Sequence, residues 1–309
     1  MNTYGKTCLV TGSEGFIGRH LKKELAILGG WENIVSIDIK PKMDMDTGKD
    51  TFFRLSVEEF IEKYWNYVPD KLDSIFHLAA LSSPVDVENR PFDGIRTNIL
   101  GTAAVLEFAR RWKIFNPNPI TVIFASSSAI TGHSLYGLTK NTSEDIATYY
   151  RKNYSVDAVS CRFFNTFGND EFKGDYTSMP TQFLDKAMKD EPIVIYGDGK
   201  QSRDFIYIKD LVQWLIQLND VDDVRRKSQR FDFGTGVTTS YNDLANMIIR
   251  LTNSHSKIKY VKNPLKNYQR LTKANLPFTK PKYTLEEALK DMIEERKHIV
   301  KPLNGDAPG

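Results

Sequence analysis

Short apolar runs alternate with stretches of helical periodicity through the first half of the chain. Each apolar run has the length of a buried strand, and we predict strands at 7–11, 34–38, 74–80, 120–127 and 158–164. The patterns between them predict helices at 16–28, 56–67, 92–112 and 136–153. This alternation is typical of an α/β fold with a doubly wound parallel sheet. Ligands of such sheets bind beyond the carboxyl ends of the strands.

The second half, from about residue 168, has shorter elements punctuated by glycine, proline and aromatic residues. We predict elements there at 179–189, 191–196, 204–208, 209–219, 230–233, 240–252 and 285–297. The domain prediction is a sheet domain at 1–167, to whose sheet 204–235 returns, and a smaller C-terminal substrate-binding domain at 168–309.

A glycine-rich turn joins the first predicted strand to the first predicted helix. It carries Gly12, Gly15 and Gly18, with Phe16 and Ile17 between the last two. Glycine lets the backbone come close to a ligand, because no Cβ is in the way. The helix that follows directs its first N–H groups at the turn, which suits a pyrophosphate. The alternative is a tight turn without a ligand, but the flanking strand and helix favour a dinucleotide-binding Rossmann fold.

The second predicted strand ends in Asp38, 20 positions after Gly18. A carboxylate at this place accepts hydrogen bonds from the adenosine ribose and repels a 2′-phosphate. Asp38 therefore favours NAD over NADP as the cofactor, although Lys40 and Lys42 weaken the preference.

A tyrosine and a lysine lie one helical turn apart shortly after the strand 120–127. That strand ends in consecutive serines, Ser126 to Ser128, and Tyr136 and Lys140 follow at i and i+4. A cation beside a phenol favours the phenolate, so the pair has the chemistry of a general base for an alcohol hydroxyl, which a serine orients. Such a pair alone is more often a solvated helix face. Because this pair follows a predicted dinucleotide-binding turn, we favour the catalytic interpretation here.

Two further places combine small and polar residues. The segment His77 to Ala80 follows the third strand, and either a cofactor or a neighbouring helix packs against it. Asn98 and Gly101 interrupt a predicted helix, where both residue types cost stability. Either close helix packing or a polar contact compensates that cost.

Composition and charge narrow the class of protein. The 309 residues are 40% hydrophobic and 26% charged, with a net charge of +3, which gives no argument for a nucleic acid or membrane partner. Cys8 and Cys161 lie in apolar runs and are predicted to be buried thiols. The five histidines have no metal-ligand spacing, so we predict no metal. The N-terminal residues lead into a strand without an apolar signal segment, and we expect a cytoplasmic protein.

These motifs together resemble the extended short-chain dehydrogenase/reductase family, in particular its NAD-dependent nucleotide-sugar epimerases and dehydratases. The matching segments run in the family's order over nearly the whole chain: TGSEGFIG (11–18), HLAA (77–80), ASSSAITG (125–132), YGLTK (136–140), RFFNTFG (162–168), YGDGKQSRDFIYIKD (196–210), FDFGTG (231–236) and KNYQRLTKAN (266–275). The resemblance implies that the C-terminal domain binds a sugar nucleotide.

The resemblance also implies individual roles. It implies that Tyr136, Lys140 and Ser127 are the catalytic residues. The cofactor NAD is expected to contact Gly12, Gly15, Phe16, Ile17, Gly18, Asp38, Leu78, Ala79, Ala80, Asn98, Tyr136 and Lys140. The substrate is expected to contact Ser83, Ser127, Ser128, Asn165, Arg203 and Arg270. Arginine suits the diphosphate, since its planar fork matches phosphate oxygens.

The chain departs from the family pattern between the catalytic serine and tyrosine. The family usually has a much longer loop there, whereas this chain has the eight residues 128–135. Thr131 replaces the usual tyrosine before Gly132. Ser128 and Ala129 stand where dehydratases carry an acidic pair, and elimination of water needs an acid and a base. Dehydration and decarboxylation are therefore less favoured.

The function predicted from the sequence is an NAD-dependent epimerase of a nucleoside-diphosphate sugar, acting at C4 as UDP-glucose 4-epimerase does. The sugar is transiently oxidised to a keto-sugar and reduced again. The alternatives are a dehydratase or reductase of the same substrate class and a non-catalytic NAD-binding protein. We also expect a homodimer in which the helices 92–112 and 136–153 pair across a two-fold axis, as in the family.

Overall fold

A computed structural model describes residues 5–43, 48–116, 120–131, 134–171, 177–221, 225, 228–262, 271, 274 and 278–300. Its centre is a seven-stranded parallel sheet with the strand order β10-β6-β5-β4-β1-β2-β3. The strands are β1 (Lys6–Thr11), β2 (Trp31–Asp38), β3 (Asp50–Arg54), β4 (Ser74–His77), β5 (Thr121–Ser127), β6 (Asp157–Phe163) and β10 (Arg230–Phe233).

The strands predicted in the first half are all present in this sheet, with boundaries shifted by a few residues. The sequence analysis missed β3, because this strand does not form a continuous apolar run. It pairs only with β2, at the edge of the sheet, and its burial is partial. An edge strand next to solvent lacks the hydrophobic signature of a buried parallel strand.

Some of the helices cover the two faces of the sheet, and others pack outside it. The helices are α1 (Phe16–Ile27), α2 (Val57–Lys63), α3 (Pro84–Asn89), α4 (Pro91–Ile95), α5 (Gly101–Phe115), α6 (Leu135–Tyr154), α7 (Met179–Ala187), α8 (Ile208–Asp220), α9 (Tyr241–Thr252) and α10 (Leu285–Val300). The predicted helix 92–112 is divided by a π-helical stretch, Arg96–Leu100. Such stretches are rare and often accompany functional sites.

Two smaller sheets lie outside the central one. The first contains β7 (Asn165–Phe167), β9 (Ser202–Tyr207) and β11 (Thr238–Ser240), and the second contains β8 (Ile193–Tyr196) and β12 (Ile258–Val261). The expectation that the strand at 204–208 belongs to the main sheet is wrong, because β9 pairs with β7 and β11 instead. Within 204–235, the strand β10 does lie at the edge of the main sheet, beside β6. The domain boundary at 167 stays a prediction.

Consecutive residues of β1 serve two hydrophobic cores. Cys8 and Val10 belong to the cluster that includes Trp214 of α8, whereas Leu9 belongs to the cluster that includes Phe60 of α2. Side chains alternate between the faces of a strand, so both faces of the sheet are covered. Cys8 is a buried free thiol, and so is Cys161. No helix in the described part of the chain has the length and apolar character needed to cross a membrane.

A buried carboxylate holds the three-stranded sheet to its surroundings. Asp204 in β9 is fully buried. Its Oδ1 accepts hydrogen bonds from the Thr235 N–H and hydroxyl at 2.8 and 2.7 Å. Its Oδ2 accepts the N–H groups of Gly236 and Ala274 at 2.8 and 2.9 Å. One side chain thus joins β9 to the turn after β10 and to a distant segment.

Replacing this carboxylate tests its structural role. We expect Asp204→Ala to lower the free energy of unfolding by about 3 kcal/mol, because several charge-assisted hydrogen bonds are lost and buried donors remain. Urea denaturation followed by circular dichroism measures the change. The exposed Asp70 supplies the control, and Asp70→Ala should change the same quantity by less than about 0.5 kcal/mol. Equal effects of the two substitutions would contradict this role for Asp204.

Candidate active site

The glycine-rich turn has the shape of an anion-binding cradle. Gly12 has a φ of +69°, and a Cβ there would lie 2.6 Å from the Ala79 nitrogen. A Cβ on Gly18 would lie 2.2 Å from the Gly12 carbonyl oxygen. The helix α1 begins after Gly15, its first turn holds no acid, and none of the described side chains caps it. Its N–H groups are therefore available to a ligand, and the turn fits a pyrophosphate.

Asp38 lies at the end of β2 with its carboxylate held by the backbone. Its Oδ2 accepts the Glu14 N–H at 2.9 Å, and its Oδ1 accepts the Lys40 N–H at 2.9 Å. A carboxylate oxygen has a further lone pair, so both oxygens retain capacity for ribose hydroxyls. Together with the cradle, this fixed negative charge fits NAD.

A buried threonine–histidine chain holds the end of β4 beside the turn. The Thr11 hydroxyl and His77 Nδ1 are 2.7 Å apart, and His77 Nε2 lies 3.2 Å from the Thr102 hydroxyl. Burial, and then the charge of Lys140, lower the pKa of His77 to about 3, so the ring is neutral. Thr11 Oγ1 also accepts the Ala79 N–H at 3.2 Å. The predicted cofactor segment Leu78 to Ala80 therefore lies against Gly12.

Asn98 makes the polar contact that compensates its place in the π-helical stretch. Its Oδ1 accepts the Leu81 N–H at 2.8 Å. Its Nδ2 donates to the Leu81 carbonyl at 3.1 Å and to the Thr139 hydroxyl at 3.0 Å. Asn98 thus joins the segment after β4 to α6. Direct contact of Asn98 with the cofactor stays a prediction.

Tyr136 and Lys140 are both buried on α6, rather than on a solvated helix face. The Lys140 ammonium donates to the Ala125 carbonyl at 2.9 Å. Burial lowers the pKa of Lys140 to about 8, against an opposing contribution from Glu144. The Tyr136 ring packs with Val87 and Ala129. The pair therefore lies beside the carboxyl end of β5, at the sheet edge where Rossmann folds bind their ligands.

The serines at the end of β5 have different surroundings. The Ser126 hydroxyl donates to Glu144 Oε1 at 2.5 Å, away from the turn that follows. Ser127 lies at the last position of β5, and its Oγ accepts the Ala129 N–H at 3.1 Å. Ser128 begins the next short turn, and its carbonyl accepts the Leu271 N–H at 2.9 Å. Because Ser126 bonds to Glu144, Ser127 remains the candidate for the catalytic serine.

The sequence analysis missed a buried ion network one turn beyond Lys140. Glu144 is fully buried and accepts the Arg162 Nε and Nη2 groups at 2.9 and 2.7 Å. Arg230 Nε lies 3.2 Å from Glu144 Oε2. The network joins α6 to β5, β6 and β10. The sequence feature that could have indicated this network is the spacing of Lys140 and Glu144, which lie four residues apart and therefore on one helix face.

The described parts of the short segment 128–135, residues 128–131 and 134–135, pack closely onto the start of α6. Ser128–Thr131 form a 3₁₀ turn. Ser134 caps the helix by accepting the Gly137 N–H at 3.1 Å. A Cβ on Gly137 would lie 2.4 Å from the Ala129 carbonyl oxygen. Ala129 packs with Tyr136 in one cluster, while Gly132 lies outside the described residues.

The predicted substrate residues occupy separate elements. Ser83 caps α3 by accepting the Asp86 N–H at 2.9 Å. Asn165 Nδ2 donates to the Asp204 carbonyl at 2.9 Å, which places Asn165 in the same small sheet as Arg203. Arg270 lies outside the described residues. The substrate roles of all these residues stay predictions.

Arg203 has a buried polar group without a hydrogen-bond partner in the described part of the chain. Its Nη1 donates to the Ser202 carbonyl at 2.8 Å, and its guanidinium carbon lies 5.9 Å from the centre of the Tyr241 ring. Its Nε is buried and has no hydrogen-bond partner among the described residues. The side chain is therefore held by packing while it keeps donors for an anion.

Comparison with known proteins agrees with this geometry. The model of the NAD dependent epimerase/dehydratase family matches residues 8–232. The chain is 29% identical over 279 residues to UDP-N-acetyl-alpha-D-glucosaminuronate decarboxylase of Bacillus cytotoxicus, covering 83% of each protein. It is 27% identical over 315 residues to a putative UDP-glucose 4-epimerase of Methanocaldococcus jannaschii, covering 94% of this chain and 98% of the relative.

The fold also matches solved structures. The crystal structure of UDP-glucose 4-epimerase from Thermotoga maritima with UDP-glucose superposes with a TM-score of 0.83 at 24% identity, covering 96% of this chain and 100% of that chain. At this identity the likeness concerns the fold alone. The predicted Rossmann sheet and the family resemblance are confirmed.

The buried ammonium predicts a pH dependence of stability. The pKa of Lys140 is about 8 in the folded chain against 10.5 for an ordinary lysine. Between these two pH values the unfolded chain binds more protons at this lysine than the folded chain does. The free energy of unfolding therefore rises with pH. We expect the stability of the wild type relative to Lys140→Met to rise by about 2 kcal/mol from about pH 7.5 to about pH 10. Urea denaturation across this range measures it.

A lysine on the same helix provides the control for this measurement. Lys152 is exposed, so the stability of Lys152→Met should run parallel to that of the wild type over the same pH range. A Lys140→Met curve that also runs parallel would refute the lowered pKa.

Proposed function

Because the chain belongs to the NAD-dependent epimerase/dehydratase family, we propose that it is an epimerase of a nucleoside-diphosphate sugar. We infer further that it inverts C4 of a UDP-sugar. The relative from Methanocaldococcus jannaschii, a putative UDP-glucose 4-epimerase, supports this assignment over almost the full length of both chains. The cofactor is NAD, which the family requires and the cradle at Gly12 to Gly18 fits.

The observation that carries the proposal is the buried pair Tyr136 and Lys140. The Tyr136 phenolate, stabilised by the Lys140 ammonium, takes the proton from a sugar hydroxyl and becomes the phenol. The Ser127 hydroxyl orients the sugar hydroxyl. NAD, held by the turn at Gly12 to Gly18 and by Asp38, would supply the acceptor and donor of a hydride at the sugar carbon. Tyr136 then gives the proton back, so no net oxidation occurs.

Arg203 is the proposed contact for the substrate diphosphate. Its buried Nε has no hydrogen-bond partner among the described residues, and an unsatisfied buried donor costs about 1 to 3 kcal/mol. Two oxygens of a phosphate group would accept hydrogen bonds from the Arg203 guanidinium at the same time, in a bidentate manner. Asn165 lies in the same small sheet and is the proposed neighbour of the sugar.

A decarboxylase or dehydratase acting on the same class of substrate is the competing assignment. The relative from Bacillus cytotoxicus, a UDP-N-acetyl-alpha-D-glucosaminuronate decarboxylase, favours it. Ser128 and Ala129 speak against it, because neither has a carboxyl group for acid–base chemistry beside the catalytic serine. A non-catalytic NAD-binding protein would have no need of a buried lysine beside a buried tyrosine.

A homodimer also stays a prediction. Apolar side chains are exposed on the helices predicted to pair across the two-fold axis. Phe92, Leu100, Leu138 and Tyr149 all have more than half of their surface exposed, so apolar surface is available there for an interface.

Removing one hydroxyl tests the catalytic assignment. The wild type should convert UDP-glucose, or another sugar nucleotide in a panel, without added reductant. We expect Tyr136→Phe to lower kcat roughly 100- to 10,000-fold, because general-base catalysis is lost. Proton NMR of the sugar anomeric signals follows conversion. Binding of NAD should be retained, since the ring and its packing remain.

A second tyrosine of the same helix supplies the matched control. Tyr149 is exposed, and Tyr149→Phe should retain full turnover. Full turnover by Tyr136→Phe would rule out the mechanism. Release of CO2 or accumulation of NADH by the wild type would favour the decarboxylase or oxidoreductase assignment instead.

The diphosphate contact predicts a separate kinetic effect. Arg203→Lys keeps the charge but loses the planar fork, so KM for the sugar nucleotide should rise about tenfold with kcat nearly unchanged. Steady-state kinetics measure both constants. The exposed Arg250 provides Arg250→Lys as a control with unchanged KM. An unchanged KM in Arg203→Lys would remove this residue from the substrate site.

A further inference from the structure

An acidic residue lies fully buried inside the turn that binds the anionic pyrophosphate. Glu14 stands between Gly12 and Gly15, and none of its surface is exposed. Its Oε1 lies 2.5 Å from the Lys22 ammonium of α1, which is itself buried. The lysine compensates the negative charge, which would otherwise oppose an anion at this turn. The pair leaves the second carboxylate oxygen for another contact.

That second oxygen binds the segment that follows the ribose-binding acid. Glu14 Oε2 accepts the Met43 N–H at 2.8 Å. The backbone N–H of Glu14 donates to Asp38 at 2.9 Å. One residue therefore holds both ends of the segment 39–43, with its main chain at Asp38 and its side chain at Met43.

The surroundings of Lys22 tie the same segment to the edge of the sheet. The Lys22 ammonium lies 3.4 Å from Asp50 Oδ2 at the start of β3, and the Lys42 ammonium lies 3.5 Å from that oxygen. Buried charges of this kind are stable only when they are paired. The cluster of Glu14, Lys22, Asp50 and Lys42 thus joins the glycine turn, α1, the segment and β3.

The segment presents apolar surface next to the ribose-binding acid. Ile39 is 69% exposed and Met43 is 53% exposed. The Ile39 carbonyl accepts a hydrogen bond from Arg54 Nε at 3.2 Å, so its backbone is anchored while its side chain is not covered. Exposed aliphatic and thioether groups beside Asp38 suit the flat face of an adenine ring.

We propose that the Glu14 carboxylate is a positioning residue for the adenosine half of the cofactor. It holds Met43 so that the segment 39–43 stays against the adenine while Asp38 contacts the ribose. Glu14 touches neither the nicotinamide nor the sugar, so it acts on cofactor affinity and not on the chemical step.

Three variants of the full-length chain test the proposal. Glu14→Ala removes the tether, and Glu14→Gln keeps an oxygen that accepts the Met43 N–H. Met43→Pro removes that N–H and leaves the pair of Glu14 and Lys22 intact, and its reference is Met43→Ala, which loses the same side chain but keeps the N–H. We expect Kd for NAD and for ADP-ribose, measured by isothermal titration calorimetry, to rise about tenfold in Glu14→Ala and Met43→Pro and less in Glu14→Gln.

Hydrogen exchange gives a readout that needs no ligand. In the NAD-free chain, amide exchange in 39–43 should be faster in Glu14→Ala than in the wild type, because the Met43 amide has lost its acceptor. Asp210 is the matched control, since its buried carboxylate also accepts two backbone N–H groups, those of Lys282 and Tyr283. Asp210→Asn should leave both Kd values and the exchange of 39–43 unchanged.

The results of these experiments distinguish a specific effect on the segment 39–43 from a general loss of stability. A weakened Kd in Met43→Pro together with faster exchange in Glu14→Ala supports the proposal. Wild-type Kd values for NAD and ADP-ribose in Met43→Pro would overturn it, even if Glu14→Ala is unstable. An equal rise of Kd in Asp210→Asn would also overturn it, because the effect would then follow general stability.

Discussion

The end of β1 passes so close to the end of β4 that no side chain fits between them. A Cβ on Gly12 would overlap the backbone at Ala79, and the Thr11 hydroxyl bridges the same gap to His77. This contact decides the direction of the chain as it leaves the sheet. The glycine turn, the start of α1 and the segment after β4 all take their positions from it, and together they form the cradle that fits a pyrophosphate.

Buried charges hold the rest of the site in place. Glu14, Glu144 and Asp204 are fully buried carboxylates, and each joins elements that are far apart in the sequence. Burying a charge is costly unless partners surround it, and each of these carboxylates has several. The loops next to them are therefore held by hydrogen bonds and ion pairs, which depend on geometry. The hydrophobic contacts in the cores of the sheet are non-directional. Directional bonds are what a binding edge needs, because its groups must keep their positions without a ligand.

The parts of the fold that the sequence predicted are those with local signals. The strands of the first half are continuous apolar runs, and the turn at Gly12 carries its own motif. The strand β3 escaped prediction because it lies at an edge, and β9 was assigned to the wrong sheet because its apolar run does not specify its partners. The contacts of Asn98 and Glu144 depend on residues more than fifteen positions away, and only three-dimensional packing brings such partners together.

The short segment before Tyr136 changes how the start of α6 is covered. A longer loop would shield the tyrosine by its own bulk, but here Ala129 packs directly on the ring and its carbonyl lies against Gly137. Glycine at 137 is needed because any Cβ there would displace this turn. Lys140, one helical turn further on, is buried against the end of β5, where its ammonium donates to the Ala125 carbonyl, and this burial lowers its pKa. The compact turn thus packs on Tyr136 without a long loop, while the end of β5 contacts Lys140.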